Sequence, residues 1–384
     1  MTGGVGSAVD LAGSPGQIVE AGGVRLRPFA ESDADAIARA CADPLTQRFI
    51  PSLPDPYTRL DALWWIREGA PAAWAAGGAS YAIADPATDR LLGAAGLGRV
   101  VPERAQAEVG YWVAPWAGGR GLATGATRTL ATWGFARGFG RLELLTDWEN
   151  VPSQRVAMAA GFGREGVRRS AGIGRGGRRH DLVAWARLAG EPAGPVPRLL
   201  PDLPGGVLHD GVVTLRPFGP ADVDVLHHLH GLPEVVATSV PPVAPDRAEI
   251  TLRCARSAAR WLAGERADLL ITDAATGAAA GEIGLYYSEP ATAQAMIGYS
   301  LLPAWRGRGY AARAALLVAR WAFRHAGVAR VIAGTMPTNR ASQRVLGRAG
   351  FHREGYLRGR LPRHGGRQDD VLYAALPEDL PPAQ

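Results

Sequence analysis

The chain repeats itself once, from end to end. Val24 to Phe29 (VRLRPF) returns as Val213 to Phe218 (VTLRPF) at an offset of 189 residues, and Gly119-Arg120-Gly121 returns as Gly307-Arg308-Gly309 at an offset of 188. Gly110-Tyr111 matches Gly298-Tyr299, Asn150 to Val156 matches Asn339 to Val345, and Gly161-Phe162 matches Gly350-Phe351. An offset this long excludes a solenoid, whose repeats run ~20 to 50 residues. Order and spacing are kept throughout, so a whole domain has been duplicated, and 384 residues suffice for two cores of ordinary size. The expected layout is a flexible tail over 1–17, a first domain over 18–189, a linker over 190–206, a second domain over 207–378 and a short tail over 379–384. Pro192, Pro195, Pro197, Pro201 and Pro204 give the linker the composition of a stiff, extended segment.

Each copy reads as mixed α/β. In the first, 24–27 alternates like a strand, 33–41 reads as a helix with Ser32 as N-cap, and 61–68 reads as a second helix. Strands follow at 80–84, 91–97 and 108–113, then a helix at 123–137, a strand at 141–146, a helix at 151–160, and strands around 163–169 and 181–187. The second copy repeats this with strands at 267–272, 280–286 and 295–301, a helix at 311–325, a strand at 330–334 and a helix at 340–348. The glycine-rich loop thus stands between a strand and a long helix in both copies.

Glycines at that junction permit positive φ, so that successive N–H groups can point into one concavity, and the helix adds its positive dipole end. This is the local chemistry of a phosphate cradle. The net charge of +6, carried by arginine, favours an anionic ligand without choosing between a phosphate-bearing cofactor and nucleic acid. Cys41 and Cys254 are the only cysteines, one per copy, so no disulfide framework is expected and a cytoplasmic setting fits. The first residues, MTGGVGSAVDLAGSPG, lack basic residues and a continuous apolar run and read as a tail, not a signal peptide. No stretch approaches the ~20 apolar residues that span a bilayer, so no membrane partner is expected.

Taken together, LRPF near the start of each copy, GY on the strand before the loop, GRGLAT or GRGYAA, and Asn-x-x-Ser followed by Gly-Phe resemble the GNAT acyltransferase superfamily. The likeness is to its Rim-type branch, which acetylates protein N-terminal amines. It implies two tandem GNAT domains, each a mixed twisted sheet flanked by helices, with acetyl-coenzyme A in a gap between the fourth and fifth strands. The resemblance puts its pyrophosphate on Arg306, Gly307, Arg308, Gly309, Tyr310 and Ala311, and its pantetheine arm along Leu301 and Leu302. The corresponding first-copy residues are Gly118, Gly119, Arg120, Gly121, Leu122 and Ala123, where the leading basic side chain is missing. Asn339 and Ser342, with Asn150 and Ser153 in the first copy, complete the expected cofactor contacts.

Acetyl transfer to an amine requires removal of a proton, alignment, an oxyanion donor and a protonated leaving thiol. In Rim-type enzymes a Glu-Pro at the spacing of Glu289-Pro290 supplies the proposed general base. The first copy has Val101-Pro102 there, so the second copy is expected to catalyse and the first to be a scaffold, pseudo-dimer partner or second cofactor site. Glu103 or Glu108 could fill the vacated role in the first copy, and Glu282 could be the base of the second. Ser342 and Ser153 are candidate acids, since the tyrosine many GNAT enzymes use falls on Leu346 and Ala157 here. An N–H near Leu301 would serve the oxyanion.

The acceptor is expected to be a primary amine, on a protein N-terminus, a lysine or a small molecule such as an antibiotic, amino sugar or amino acid. A non-catalytic acyl-coenzyme A sensor or scaffold is the alternative. A nucleic acid rests only on charge and is not the expected partner. Further oligomerisation stays open. His227, His228 and His230 lie on the first helix of the second copy without a pattern that completes a metal site. Trp133 and Trp321 are expected in the cores, the arginines from Arg164 to Arg179 on a solvated hairpin, and Asp181 and Asp370 as orienting residues of the last strand or a loop.

Overall fold

The computed structural model describes residues 17–21, 23–363 and 365–382, so the expected N-terminal tail lies outside the described residues except for Gln17. The chain divides into two units, Met1–Pro197 and Arg198–Gln384. In the first, β1 (Val19–Ala21), β2 (Val24–Arg27), β3 (Ala79–Ala84), β4 (Leu91–Val101), β5 (Gln106–Val113), β6 (Arg141–Asp147), β7 (Gly163–Ile173) and β8 (Arg179–Leu188) form one sheet in the order β1-β2-β3-β4-β5-β6-β8-β7. Helices α1 (Ala34–Cys41), α2 (Pro44–Phe49), α3 (Arg59–Trp64) and α4 (Ala70–Ala75) precede β3, while α5 (Leu122–Ala136) and α6 (Val151–Ala159) follow β5 and β6.

The second unit repeats the plan. Its strands are β9 (Leu208–His209), β10 (Val213–Pro217), β11 (Arg266–Asp273), β12 (Ala279–Glu289), β13 (Gln294–Leu301), β14 (Arg330–Thr335), β15 (His352–Arg363) and β16 (Gly366–Ala375), in the order β15-β16-β14-β13-β12-β11-β10-β9. Its helices are α7 (Val223–Gly231), α8 (Pro233–Val236), α9 (Arg247–Leu262), α10 (Tyr310–His325) and α11 (Arg340–Arg348).

One pair in each sheet is parallel, β5 with β6 and β13 with β14, because each is joined by a helical crossover. The parallel ladder is short. Gln294, Ala295 and Met296 oppose Arg330, Val331 and Ile332, and the strands then part although β13 runs on to Leu301. In the first unit Gln106 to Glu108 oppose Arg141 to Glu143 before the same divergence.

Alternation sorts the residues of β12 and β13 between two faces. Ile283, Leu285, Ala295 and Ile297 pack with Ala314, Ala315 and Val318 of α10, and Trp321 lies in that core. The other face carries Leu270 against Leu226 and Leu229 of α7 and Ile250 and Cys254 of α9. Glu282, Gly284, Gly298 and Ser300 fall on this second face. Trp133 and Trp321 are buried, each edge-on to a second tryptophan, Trp74 and Trp261 respectively.

Three local expectations change. Ser32 does not cap α1: a 3-10 turn over Glu31–Asp33 precedes it, and Asp33, gripped by both Arg27 Nη atoms, accepts the Ala30 N–H at 2.9 Å. The helix expected at 61–68 starts at Arg59, capped by Thr58, and runs through a π-turn over Trp65–Gly69 into α4. The N-caps Thr58 and Asp246 are 188 residues apart, whereas Trp74 and Trp261 are 187 apart, so the first unit carries one extra residue, absorbed by the π-turn. The stretch 190–206 also packs on the units: Val196 donates to the Met158 carbonyl, and Leu200 and Leu203 are buried in the second unit's core. No helix among the described residues is long and apolar enough to cross a membrane.

Candidate functional site

The loop before α10 has the backbone the sequence asks for. Gly307 and Gly309 have φ of 76° and 84°, and Gly309 is the N-cap of the helix. Gly119 and Gly121 repeat this at 75° before α5. A Cβ on any of the four would meet nothing within 4 Å, so the loop borders open space, into which the first N–H groups of the helix have no intrahelical acceptor. That fits a phosphate group. Arg306, Gly307 and Arg308 are exposed, Arg308 beside the Trp305 ring at 5.3 Å, while Tyr310 and Ala311 are buried beneath them. In the first unit Gly118, Arg120 and Gly121 are likewise exposed, Leu122 is buried and Ala123 is half-buried.

Arg306 does more than add charge. Its Nε and Nη2 donate to the Leu301 carbonyl at 3.0 and 2.9 Å, and its Nη1 to Glu234 Oε1 on α8 at 2.8 Å. Gly118 offers no such brace. Leu302 donates its N–H to the Ala280 carbonyl, so strand alternation turns the N–H and C=O of Tyr299 and Leu301 away from β12 and toward the opening beside β14. An N–H at Leu301 is therefore available at the divergence.

Across that divergence Tyr299 Oη lies 2.8 Å from Ser342 Oγ, as Tyr111 Oη does from Ser153 Oγ. Both serines are fixed by their asparagines, since Asn339 and Asn150 cap α11 and α6 by accepting the Ser342 and Ser153 N–H at 3.1 and 3.2 Å. Burial pushes the Tyr299 phenol up to about 12, against a smaller opposing effect of the Ser342 hydrogen bond. Leu346 and Ala157 are fully buried and carry no polar group to the site. The tyrosines were visible in the repeated Gly-Tyr pairs, but their contact with the serines was not.

On the α7–α9 face the units differ. Leu270, Glu282 and Ser300 form one row across β11, β12 and β13, and the matching row in the first unit is Ala82, Ala94 and Trp112. Glu282 Oε1 lies 2.9 Å from His230 Nε2, and Glu282 Oε2 lies 2.8 Å from Arg253 Nη2. Arg253 also reaches Asp268 at 3.0 Å, and Arg266 pairs with the same oxygen. Burial alone would push the Glu282 carboxyl up, but the Arg253 charge and the His230 hydrogen bond outweigh it and hold it well below the usual range. The first unit has Cys41, Trp65, Ala94 and Ser80 at the positions of His230, Arg253, Glu282 and Asp268.

Glu289 is placed elsewhere. It is exposed at the end of β12, paired with Gln294 at the start of β13, and its nearest side-chain partner is Thr292 Oγ1 at 3.3 Å. Gln294 is four residues from Gly298, about 13 Å along a strand, so Glu289 stands at the closed end of the divergence. Glu103 is exposed on the matching turn. Glu108 is half-buried opposite Glu143, and burial raises its carboxyl, opposed by Arg99 and assisted by the Glu143 charge. Asp181 accepts the Ser170 N–H and Asp370 holds Arg360 at 2.6 Å, both within the last hairpins. Sequence reasoning singled out His230 and Glu282 separately and missed Arg253, because nothing local joins residues 23 to 52 positions apart.

A family model described as Acetyltransferase (GNAT) domain matches the chain twice, over residues 24–163 and 213–352. Probable N-acetyltransferase YjcK of Bacillus subtilis is 41% identical over 85 residues, 22% of this chain and 47% of that protein. Ribosomal protein uS5-alanine N-acetyltransferase of Escherichia coli is 34% identical over 88 residues, 23% of this chain and 45% of that protein. The chain spans about half the length of these curated relatives. Among solved structures, Mycobacterium smegmatis RimJ in complex with CoA-disulfide aligns over 46% of this chain and 89% of its own, at 23% identity and a TM-score of 0.40.

Proposed function

The chain belongs to the GNAT acetyltransferase family through both of its units, and from that premise we propose that it moves an acetyl group from acetyl-coenzyme A to a primary amine by direct attack. The carrying observation is the open, positive-φ loop at Gly307 and Gly309, set at the end of a strand whose Tyr299 and Leu301 backbone faces an opening in the sheet. Amides of Gly307 to Ala311 hold the pyrophosphate, with Arg306 and Arg308 adding charge. Leu301 and Leu302 line the pantetheine arm, and Asn339 keeps Ser342 at its far side. Acetyl-coenzyme A supplies the activated acyl carbon. The Leu301 N–H is the oxyanion donor, and Ser342, bonded to Tyr299, stands where a leaving sulfur takes a proton.

The C-terminal unit is the catalytic one in this reading. Both units set a glycine pair beside the divergence, Gly284 with Gly298 and Gly96 with Gly110, but the next row is Glu282 and Ser300 in the C-terminal unit and Ala94 and Trp112 in the N-terminal one. That difference favours a second role for the N-terminal unit, a binding or scaffolding site for coenzyme A through Gly118, Gly119, Arg120, Gly121, Leu122, Ala123, Asn150 and Ser153. A protein N-terminal amine is the proposed acceptor, after the name of the Escherichia coli relative.

Calorimetry with coenzyme A on the wild type, Gly121→Ala and Gly309→Ala tests the binding half. Two sites are expected, one weakened by each substitution. Thiol release from acetyl-coenzyme A with peptide and small-molecule amines tests the rest. Binding without release by any amine would make the chain a sensor and overturn the catalytic reading.

A further inference from the structure

We propose that His230 is the residue of the C-terminal unit that takes the proton from the attacking amine, and that Glu282 is the positioning residue that orients it. The inference rests on the acetyltransferase reading above.

Three observations place His230 at the right end of the sheet. Its partner Glu282 stands directly opposite Ser300, in the part of β13 that has left β14, and on the same face. Four residues after His230, Glu234 on α8 is tied through Arg306 to the Leu301 carbonyl, so the α7–α8 corner overlies the diverged end of β13. The sheet beneath is glycine at Gly284 and Gly298, which are opposite one another, and Gly298 is exposed. The side chains nearest these glycines are the Tyr286 ring, which borders both, and Asp268 and Arg266, which border Gly284. Glu289, at the closed end of the divergence, has none of these relationships.

The hydrogen bonds choose the tautomer. His230 Nε2 lies 2.9 Å from both Glu282 Oε1 and Arg253 Nη1, and one nitrogen cannot donate to the first and accept from the second. Glu282 is an anion, and Arg253 has the carboxylates of Glu282 and Asp268 to satisfy its own N–H groups. Nε2–H therefore donates to Glu282, leaving the Nδ1 lone pair, which has no partner among the described residues, as the proton acceptor. Glu282 itself is a poor base, because the charges around it hold its proton affinity low. A buried carboxylate bound to a neutral imidazole orients it and stabilises the imidazolium that forms, the division of labour found in hydrolase triads.

The transfer balances without any further reagent. The amine lone pair forms the N–C bond to the acyl carbon and the C–S bond breaks. The proton on nitrogen passes to His230 Nδ1, and the sulfur leaves as thiolate and becomes a thiol with the Ser342 Oγ proton. Water replaces that proton, and the imidazolium returns its own to water. A cluster of two arginines, an aspartate, a glutamate and a histidine under two helices is expensive to desolvate and is weak evidence of stabilisation. Its absence from the N-terminal unit, where Cys41, Trp65, Ala94 and Ser80 occupy the same places, shows that this fold does not need it.

The test uses the full chain with acetyl-coenzyme A and peptides bearing free N-termini. His230→Gln keeps a donor toward Glu282 and removes the base, and His230→Gly leaves room for added imidazole. Both should lower kcat by about 100-fold or more, the ordinary worth of a general base. Coenzyme A affinity by calorimetry should stay unchanged, and imidazole should restore turnover to His230→Gly and not to His230→Gln. Glu282→Gln should lower kcat with the same unchanged coenzyme A affinity, and imidazole should not rescue it. Wild-type release that persists in His230→Gln, or a loss in His230→Gly that imidazole does not restore, overturns the inference while leaving the acetyltransferase reading intact. No release by the wild type overturns both.

Discussion

The phenol of Tyr299 reaches across the opening between β13 and β14 to lie 2.8 Å from the Ser342 hydroxyl, joining a strand to the first turn of α11. Tyr299→Phe removes that bond from a half-buried serine and should cost about 1 kcal/mol of stability. Ser342→Ala should cost a similar amount. If Ser342 donates to the leaving sulfur, the two substitutions should also lower kcat together, and the double variant should be no worse than Ser342→Ala. Additive losses in kcat would show that the pair does not act as a unit.

Acid should reveal the charge cluster. The carboxyl of Glu282 is shifted from 4.5 to about 2 in the folded chain, so its contribution to stability is complete above pH 4.5 and is lost as pH falls through about 2. Glu282→Gln should therefore be less stable than wild type at neutral pH, by about 3 kcal/mol, the scale of breaking a buried pair. The gap should close between pH 4.5 and pH 2 in urea melts. A constant gap would mean that the loss comes from packing and not from ionisation.

The turns entering β5 and β13 are held by alanines in the left-handed region, Ala105 at φ 46° and Ala293 at φ 53°. Their carbonyls accept the Gly140 and Ala329 N–H groups at 2.8 Å, which fixes this geometry. Ala105→Gly and Ala293→Gly should each stabilise the chain by up to about 1 kcal/mol, because glycine relieves the Cβ conflict at an entropic cost smaller than the strain. Thermal melts of both variants check this.

The duplication made much of the fold legible. Matched glycines marked the loop, and the helix read at 340–348 forms over Arg340–Arg348, with Asn339, expected from the sequence only as a cofactor contact, as its N-cap. The glycine loops could be read because positive φ is a local demand that few residues meet. The extra residue in the first unit could not, since a π-turn over Trp65–Gly69 has no signature beyond a gap that slips by one between two tryptophans. Gly69 is its one local trace: a Cβ there would come within 2.4 Å of the Trp65 ring. The site was legible where chemistry is carried by backbone and illegible where it is carried by side chains from four elements. His230, Arg253, Asp268 and Glu282 share a face only because α7, α9, β11 and β12 pack together, and no periodicity in one element announces that.

Arg306 holds the Leu301 carbonyl with two N–H groups and Glu234 with a third, while Gly118 in the same place holds nothing. The C-terminal unit thus has a mechanical linkage that its twin lacks. Through Arg306 the end of β13 and the start of α8, next to the corner that carries His230, are held to one side chain. Two copies of one loop thereby differ in what they are anchored to, the second to a strand end and a helix at once and the first to neither through this position.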